Sequence, residues 1–413
     1  MVQNPRVIII GGGAAGFFGA INCAMTFPQA QITLLEAGKQ FLSKVRISGG
    51  GRCNVTHHCF DPAQLVQYYP RGGKALRGAF SRFQPQDTIA WFADRQVTLK
   101  TEADGRMFPI SDDSATIVNC LLETAREYGV HCRAQAPVQT VQKKASEFLI
   151  TLKSGETLRS DRLLLATGSN PLGYQWAKDF GHQIETPVPS LFTFNLRDPR
   201  LEDLAGITVE QVRLRLVSPD RKKLEQTGPL LITHWGISGP AVLKLSAWGA
   251  RLLYDQHYQM NLMINWLPNH NLETCQALLW KTKQQQERKQ ILTFSPVDLP
   301  KRLWQNLVNF IGIMPKTLWA DLSKKHVQAL SQALLLGEYQ IQGKGVFKEE
   351  FVTCGGVHLP EVDFKTMSSK KCSDLYFAGE ILDIDGVTGG FNFQSAWTTA
   401  WLAGKAIGAR HEI

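Results

Sequence analysis

Apolar runs of four or five residues that stop at a glycine or an acid occur at both ends of the chain. Residues 7–10 are all apolar and lead into Gly11, and residues 31–35 end at Glu36. Runs of this kind are typical of strands buried in a parallel sheet. The same pattern recurs later, at residues 161–165 and 374–380. It predicts an α/β fold whose main sheet draws strands from both ends of the sequence.

Between these regions the periodicity changes twice. Strand-like alternation is followed by helical periodicity from residue 272 to residue 336. Pro187 and Pro189 mark the boundary before the alternation, and Gly343–Gly345 marks the return. We therefore predict a Rossmann-like domain at 1–188 and 345–413, with a domain at 189–344 inserted into it, β-barrel-like at 189–265 and helical at 266–344.

The glycine turn after the first strand has the spacing of a nucleotide-binding loop. Gly11 allows a tight bend, Gly13 leaves room for a pyrophosphate, and Gly16 lets the next helix pack closely on the strand. Ala14 and Ala15 lie in the first turn of that helix, where free N–H groups and the helix dipole attract an anion. Because strand, turn, helix and second strand follow in order, we interpret the turn as a dinucleotide site rather than an ordinary bend.

Glu36 stands at the end of the second strand, with Ala37 beside it. An acid at this position accepts hydrogen bonds from a ribose diol and disfavours a 2′-phosphate. The adenosine half of the ligand is therefore expected to belong to FAD or NAD rather than to NADP.

A second glycine-rich loop, residues 44–56, is flanked by cations and small polar side chains. Consecutive glycines let the backbone approach a flat or charged ligand. A flexible surface loop is the alternative interpretation. Near the other end of the chain, residues 353–357 predict a tight glycine loop, and residues 386–392 open a last helix over about 393–407. The N-terminus of that helix is a second predicted anion site.

Residues 68–83 interleave four cations with aromatic side chains. Such a mixture can grip phosphates and stack bases. An amphipathic helix with a solvated basic face explains it as well, and we favour this interpretation.

Composition adds few constraints. The chain of 413 residues is 44% hydrophobic and 20% charged, and no apolar run approaches the ~20 residues that span a membrane. The start lacks a secretory pattern, so we expect a cytoplasmic protein without a membrane partner. The eight cysteines form no C-x-x-C pair, which argues against a zinc or dithiol site. A net charge of +9 permits an acidic partner such as RNA, although ordinary enzymes also carry such a surplus.

Several longer motifs are spread along the chain: Ser-Gly-Gly-Gly-Arg-Cys-Asn (48–54), Gly-Arg-x-Phe-Pro (105–109), Thr-His-x-Gly-x-Ser-Gly-Pro (233–240), Thr-x-Gly-Gly-Val (353–357) and Ala-Gly-Glu-x-Leu-Asp (378–383). Together they resemble one family, the BaiN/RdsA (YhiN-like) flavoproteins, within the two-dinucleotide-fold flavoproteins. The resemblance covers essentially the whole chain. It implies non-covalent FAD, with the two chain ends building one FAD domain.

The resemblance also implies a role for each matching position. Gly11, Gly13 and Gly16 would hold the pyrophosphate, Glu36 the adenosine ribose, and the backbone of Val138 the adenine. Gly379 and Glu380 would hold the ribityl chain, and the Ala-Thr-Gly turn containing Thr167 and Gly168 would lie against the cofactor. The isoalloxazine would be surrounded by Lys44, Ser48, Gly50, Gly390, Phe391 and Asn392. This chain departs from many relatives at Leu42–Lys44 and at Gly168-Ser169, which leaves the FAD site intact but the substrate open.

Relatives are given reductive roles on a uracil ring of ribosomal RNA or an unsaturated steroid, and an oxidative role on a small amine. A common mechanism is hydride transfer through flavin N5, and reduction of a C=C bond also needs a proton donor. Cys53, His234, Cys354 and His358 are the candidates, and none is singled out. We therefore predict an FAD-dependent oxidoreductase that reduces an activated C=C bond. Two alternatives stay open: an FAD-dependent oxidase of a small amine, and a non-catalytic FAD-binding redox sensor.

The electron donor is expected to be NAD(P)H. No further strand-linked Gly-x-Gly-x-x-Gly follows Glu36, and residues 190–342 lack a βαβ alternation. A nicotinamide donor would then use the same flavin cleft as the substrate, which is either a small molecule or ribosomal RNA.

Overall fold

The computed structural model describes residues 4–217, 223–345 and 352–409. Contacts within the chain divide it into two compact units, Met1–Pro187 with Val352–Ile413, and Val188–Phe351. The predicted return at residue 345 directly precedes residues 346–351, which lie outside the described residues. No helix in the described part of the chain is both long and apolar enough to cross a bilayer.

The helices, in chain order, are α1 (Ala14–Thr26), α2 (Ser43–Gly51), α3 (Pro62–Leu65), α4 (Gly73–Phe80), α5 (Pro85–Ala93), α6 (Ser114–Glu127), α7 (Pro171–Asp179), α8 (Pro240–Trp248), α9 (Ala250–Asp255), α10 (Leu272–Gln285), α11 (Lys301–Phe310), α12 (Lys324–Leu335) and α13 (Phe391–Gly408).

The strands, in chain order, are β1 (Arg6–Ile10), β2 (Gln31–Leu35), β3 (Thr56–His57), β4 (Leu99–Thr101), β5 (Arg106–Pro109), β6 (His131–Arg133), β7 (Val138–Lys144), β8 (Glu147–Leu152), β9 (Thr157–Ser160), β10 (Arg162–Leu165), β11 (Ile184–Ser190), β12 (Phe194–Asn195), β13 (Thr208–Leu216), β14 (Leu224–Thr233), β15 (Gly236–Ser238), β16 (Met260–Asn265), β17 (Gly337–Ile341), β18 (Gly343–Lys344), β19 (Val352–Val357), β20 (Val362–Asp363), β21 (Ser368–Ser369) and β22 (Leu375–Phe377).

The main sheet of the first unit has the order β20-β21-β22-β10-β1-β2-β6. Strands β22, β10, β1, β2 and β6 are parallel, with Ile9 opposite Leu34 on one side and Leu164 on the other. The side chains of all three are fully buried, as expected of a sheet covered on both faces. The prediction of one sheet with strands from both chain ends is confirmed.

Helices α1 and α13 pack against each other in parallel through small residues. Gly19 faces Ala400, Gly404 faces Asn22, and Gly408 faces Thr26, so contact partners advance together along both helices. In this register α13 begins four to five residues before α1 does, an offset of about 6–8 Å along the helix axes at 1.5 Å per residue. The two N-termini therefore lie at the same end of the helix pair.

The segment at 353–357 corrects a prediction. It is strand β19 rather than a tight glycine loop, and it pairs with β11 in a two-stranded sheet. Gly355 and Gly356 have φ values of 111° and 141°, and a Cβ on either would overlap a backbone carbonyl of Thr186 or Ile381. Close backbone approach, rather than a turn, accounts for this glycine pair.

The second unit contains an antiparallel sheet of order β17-β16-β13-β14-β15-β12-β18. Its two outermost strands, β17 and β18, are consecutive in sequence and are separated by Gln342 alone. One chain segment thus pairs with β16 in its first half and with β12 in its second, so the sheet curls until its edges are joined. The sheet is barrel-like as predicted for 189–265, but the prediction of a helical region over 266–344 is wrong at its end. Strands β17 and β18 lie at 337–344, because the chain returns to the sheet after α12.

Helices α10, α11 and α12 extend the core of this sheet. Trp266, Trp304 and Trp319 are among its fully buried side chains, and the Trp304 and Trp319 rings stack at 6.4 Å. The helical periodicity predicted over 272–336 is interrupted, because α10 ends at Gln285 and α11 begins only at Lys301.

Candidate dinucleotide-binding site

The turn after β1 is held by close backbone contacts that only glycine permits. The N–H of Gly11 donates to Leu35 O at 2.9 Å, which ties the turn after β1 to the last residue of β2. Gly11 has φ 119°, and a Cβ there would overlap the carbonyl oxygen of Ala166 at the end of β10. A Cβ on Gly16 would overlap the carbonyl oxygen of Gly11. The predicted roles of these two glycines in bending and packing therefore have a steric basis.

The N-terminus of α1 is open. A Cβ on Gly13 would meet nothing within 4 Å. Gly13 is the N-cap, no side chain caps the helix, and no acid lies in its first turn. The N–H groups of Ala14, Ala15 and Gly16 have no intrahelical acceptor. These donors, with the positive end of the dipole, provide a site for a pyrophosphate.

Glu36 organises the edge of the sheet beside this opening. Its carboxylate accepts hydrogen bonds from Gly12 N (2.8 Å) and Gly38 N (2.7 Å). Each carboxylate oxygen keeps lone pairs for further donors, so a ribose diol can still bind. The Glu36 carbonyl accepts from Ala136 N at 2.8 Å, which brings the segment that leads into Val138 alongside Ala37.

The N-terminus of α13 is a second opening of the same kind. Gly390, with φ 91°, is its N-cap, and again no side chain caps it and no acid lies in its first turn. The side-chain amide of Asn54 bridges Gly390 N (2.9 Å) and Thr56 O (3.1 Å), which ties the second glycine loop to this helix. Asn392 donates to and accepts from the backbone of Gly386, at 2.9 and 2.8 Å. Its side chain therefore holds the loop, and its backbone is the part left for a ligand.

An aromatic group surrounds the start of α13. Phe391 is buried and stacks on Tyr68 with ring centroids 4.3 Å apart. The carbonyl of Phe391 accepts from Tyr69 Oη at 2.7 Å. His57 Nδ1 lies 2.9 Å from Gly389 O, and its ring packs on Phe391. Sequence reasoning did not single out His57 or Tyr69, since their partners lie more than 300 positions away.

The second glycine loop is a short helical turn followed by left-handed glycines. Within α2 the backbone is non-helical at Ser48, Gly49 and Gly50, where the two glycines have φ 59° and 69°. A Cβ on Gly50 would meet nothing within 4 Å, and the Ser48 hydroxyl donates to Val45 O at 2.9 Å. Lys44 Nζ donates to Glu380 Oε2 at 2.6 Å and so links the loop to the C-terminal strand region.

The ends of β10 and β22 complete this edge. Gly379 has φ 75°, and a Cβ there would lie 2.8 Å from Ala15 Cβ, so it packs against the start of α1. Glu380 Oε1 accepts from Thr353 N at 3.1 Å, while Oε2 approaches Gly168. The Thr167 hydroxyl is buried and has no hydrogen-bond partner among the described residues. A buried hydroxyl without a partner is unfavourable, so a polar ligand group here would satisfy it.

A buried ion pair joins Arg71 to Asp385, next to the loop that leads into α13. It corrects our interpretation of residues 68–83. Arg71 does not belong to a solvated basic face: it pairs with Asp385, whose side chain is fully buried. Burial alone would lower the pKa of Arg71, but the Asp385 carboxylate raises it above the ordinary value. Only α4, which carries the exposed Lys74 and Arg77, matches the predicted amphipathic helix.

The four candidate proton donors lie in different surroundings. Cys53 is fully buried, and burial raises the pKa of its thiol to about 12, which makes it a poor acid at neutral pH. Cys354 is buried within β19. His358 Nδ1 lies 2.8 Å from Glu185 Oε1. His234 is exposed at the turn between β14 and β15 in the second unit.

These features fit FAD. The first unit brings together two uncapped helix N-termini, an acid at the end of β2, open glycines at positions 13 and 50, and a buried hydroxyl without a partner. A pyrophosphate, a ribose and a polar linker supply the groups that such a set accepts.

Comparison with known proteins supports this conclusion. The profile of the family described as HI0933-like protein Rossmann domain matches residues 5–406. The chain is 33% identical over 420 residues to the ribosomal RNA dihydrouridine synthase of Escherichia coli K12, with 98% of each chain covered. It is 29% identical over 433 residues to the 3-dehydro-bile acid delta(4,6)-reductase of Clostridium scindens, covering 98% of this chain and 99% of the relative.

Among solved structures, the 3-ketosteroid-delta4-(5alpha)-dehydrogenase from Rhodococcus jostii RHA1 aligns with a TM-score of 0.53 at 14% identity, covering 99% of this chain and 98% of the other. This likeness concerns the fold alone. The resemblance found in the sequence motifs is confirmed by the family profile and by the relatives. The chain belongs to the HI0933-like Rossmann-domain family of flavoproteins.

Proposed function

We infer that the protein is an FAD-dependent oxidoreductase that reduces an activated C=C bond, and that this bond lies in a uracil ring of ribosomal RNA. The observation that carries the inference is the convergence of the α1 and α13 N-termini on the acid-ended edge of one sheet. Two positive helix ends that lie at the same end of the helix pair, offset along the axes by four to five residues, match a ligand with negative charge at two points along its length.

The residues around this edge take successive parts of the cofactor. Ala14, Ala15 and Gly13 would bind the pyrophosphate through N–H groups, and Glu36 the ribose. The backbone at Ala37 and Val138 would flank the adenine. The ribityl chain would lie along Thr167, Gly168, Gly379 and Glu380, and the isoalloxazine against Lys44, Ser48, Gly50, Gly390, Phe391 and Asn392.

When bound, reduced FAD supplies a hydride from N5. The chain's own contribution is electrostatic and steric. The N–H groups at the start of α13 would stabilise negative charge on the pyrimidine end of the ring. The stack of Phe391 on Tyr68 fixes the position of the Phe391 ring at the start of α13. The Arg71–Asp385 pair fixes the backbone between Tyr68 and Val387, where Val387 N donates to Tyr68 O at 2.9 Å.

The choice of a uracil ring rests on relatives that match over nearly their whole length. Two of them are ribosomal RNA dihydrouridine synthases, at 33% and 31% identity, against 29% for the bile acid reductase. Both named reactions concern a ring with a C=C bond next to a carbonyl, a group that accepts hydride readily. The net charge of +9 is compatible with an anionic polymer such as RNA.

We propose NAD(P)H as the electron donor. The described part of the second unit is an antiparallel barrel-like sheet with helices and contains no parallel βαβ unit. A donor without a nucleotide-binding domain of its own would use the substrate's cleft, which predicts ping-pong kinetics. Intersecting initial-velocity lines would contradict the shared cleft.

The deciding experiment is mass spectrometry of ribosomal RNA from a strain that lacks the gene. Loss of one dihydrouridine, restored by the wild-type gene but not by a Gly13→Asp variant, is the expected result, because an acid over the helix N-terminus repels the pyrophosphate. Unchanged dihydrouridine, together with NADPH-dependent reduction of a steroid enone, would move the substrate to small molecules. Consumption of O₂ with an amine would indicate an oxidase. A single reduction without turnover would indicate a sensor.

A further inference from the structure

The second unit carries a basic surface that the cofactor site does not use. It consists of two stretches of chain, residues 281–289 and 316–325, which we call the 281–325 patch. Seven cations belong to these stretches, against two carboxylates, Glu287 and Asp321. The cations are Lys281, Lys283, Arg288, Lys289, Lys316, Lys324 and Lys325.

The two stretches are neighbours in space. Trp319 N donates to Lys289 O at 2.9 Å, and Ala320 N donates to Glu287 O at 3.1 Å. Lys283 Nζ donates to Leu322 O at 2.7 Å, which joins the end of α10 to the loop before α12. The seven cations therefore form one surface rather than two.

The cations of this patch are not neutralised locally. All except Lys283 are exposed, and no ion pair joins any of the seven to a carboxylate within the described residues. In the first unit, by contrast, the exposed cations Lys44 and Arg159 do pair with nearby acids. Cations without carboxylate partners repel one another, so their clustering lowers the stability of the second unit when nothing is bound to the patch.

Helix α12 strengthens this argument. It begins with Lys324 and Lys325 directly after its Ser323 cap, and no acid lies in its first turn. Cations at a helix N-terminus oppose the dipole. A bound phosphate would reverse this repulsion, because it interacts favourably with both lysines and with the positive end of the helix.

An aromatic side chain lies beside the cations. Trp280 is 37% exposed, and Lys283 Nζ lies 5.6 Å from its ring centroid. Exposed tryptophan among unpaired cations is the combination that binds single-stranded nucleic acid, with phosphates on the cations and a base stacked on the ring. An acidic protein surface would use the cations but has no flat base to stack.

We propose that the 281–325 patch is an RNA-docking surface that binds unpaired segments of the substrate RNA. The proposal rests on the proposed function for the identity of the partner. It adds that recognition of the RNA backbone is performed by the inserted unit, while the predicted redox chemistry belongs to the first unit.

The test is binding of a short fluorescent single-stranded RNA of mixed sequence to the FAD-loaded protein over a series of salt concentrations. One variant removes four cations of the patch, Lys281→Gln, Arg288→Gln, Lys289→Gln and Lys324→Gln. A matched control removes four exposed cations of the first unit, Lys74→Gln, Arg77→Gln, Lys153→Gln and Lys178→Gln. Both variants change the net charge by the same amount, so general attraction is held constant.

The patch variant is expected to bind at least about tenfold more weakly at low salt, and to lower the slope of log K against log salt by about three, the value for four single-strand phosphate contacts. The control should keep the wild-type slope. Trp280→Ala should weaken binding by roughly five- to hundredfold without changing the slope, because stacking releases no counterions.

Equal slopes for the patch variant and wild type would overturn the proposal, as would a loss confined to the control variant. Dihydrouridine formation on ribosomal RNA is measured separately. Wild-type protein that binds RNA through the patch but forms no dihydrouridine would refute the proposed reaction and leave the docking surface standing. Wild-type protein that forms dihydrouridine while the patch variant binds normally would refute the docking surface alone.

Discussion

The two units differ in how their secondary structure and their charges are arranged. In the first, the parallel sheet, the glycine turns and the α1–α13 pair all meet at one edge, and the numbers of cations and acids nearly balance. In the second, an antiparallel barrel-like sheet and three helices enclose a core of their own, with no comparable convergence of backbone donors among the described residues. Residues 188–351 hold 20 Lys and Arg against 14 Asp and Glu, whereas the rest of the chain holds 25 against 22.

The difference shows where the constraints on this sequence lie. The candidate cofactor edge of the first unit depends on backbone conformation, since Gly11, Gly16 and Gly379 cannot carry a Cβ without overlap. The second unit is specified by core volume and surface charge, which many sequences satisfy. Substitutions should therefore have separable effects: on FAD binding in the first unit, and on stability or RNA binding alone in the second.

The largest expected effect comes from the buried ion pairs, because each unit has one. Asp385→Ala leaves the Arg71 guanidinium buried without its carboxylate, and should destabilise the protein by about 3–5 kcal/mol and abolish FAD binding. In the second unit, Arg200 pairs with Asp198 at 2.6 Å and lies over the Tyr339 ring.

Asp198→Ala is the matched control, with a smaller loss because Asp198 is partly exposed. Urea unfolding with FAD titration distinguishes the two variants. Loss of FAD affinity in both would show that the units do not act separately.

The next effect separates two neighbouring glycines. Gly11→Ala forces a Cβ onto φ 119° and against Ala166, and should cost about 1–3 kcal/mol of stability from backbone strain alone. Gly13→Ala meets no neighbour, so it should fold as well as wild type and lose FAD affinity only. Thermal unfolding of the two apoproteins and titration with FAD measure both quantities. Equal thermal stability would mean that the turn does not have the described geometry.

Glu36→Ala should weaken FAD binding by about 1.5–3 kcal/mol, the range for a charge-assisted hydrogen bond. Because Glu36 also accepts from Gly12 and Gly38, some stability is lost as well. The Glu36→Gln variant keeps a hydrogen-bond acceptor at this position, so its difference from wild type measures the effect of the negative charge alone on FAD affinity. Wild-type flavin affinity in Glu36→Ala would show that the acid does not bind the ribose.

The smallest expected effect is a pH dependence in the first unit. Burial lowers the pKa of His182 below its ordinary value of 6.5, so the folded state favours the neutral ring. Its stabilising contribution is complete above pH 6.5 and is lost as the pH falls through the lowered pKa. Urea midpoints at pH 5.5 and 7.5 should differ in wild type and differ less in His182→Gln. An equal difference in both proteins would exclude His182 as the cause.

Sequence patterns predicted the strands that carry the cofactor site, because buried parallel strands and glycine turns leave local signatures. Residues 31–35 were predicted as a strand and form β2 with the same bounds. The pattern failed where the cause is distant: Arg71 looked solvent-facing, but its partner Asp385 lies 314 positions away. It also failed at Gly355, where glycine is required by the approach of another strand rather than by a turn.

Asn392 shows a subtler limit. Its position beside the predicted flavin was read from a motif, yet both polar atoms of its side chain are engaged with Gly386. A motif records that a residue type is needed but does not distinguish contact with a ligand from support of the loop that makes the contact. The individual site residues therefore stay predictions until FAD affinities of variants are measured.

The parallel pairing of α1 with α13 has a consequence for biosynthesis. The first helix leaves the ribosome early, but its partner and the strand β22 emerge only after the whole second unit has been made. While the second unit is being made, the apolar face of α1 lacks α13 and one side of β10 lacks β22. The second unit, by contrast, already contains every element of its own core once it has been synthesised. The nascent chain therefore passes through a stage in which the second unit can fold while the first still lacks α13 and β22, and the candidate FAD site is not complete until α13 has been made.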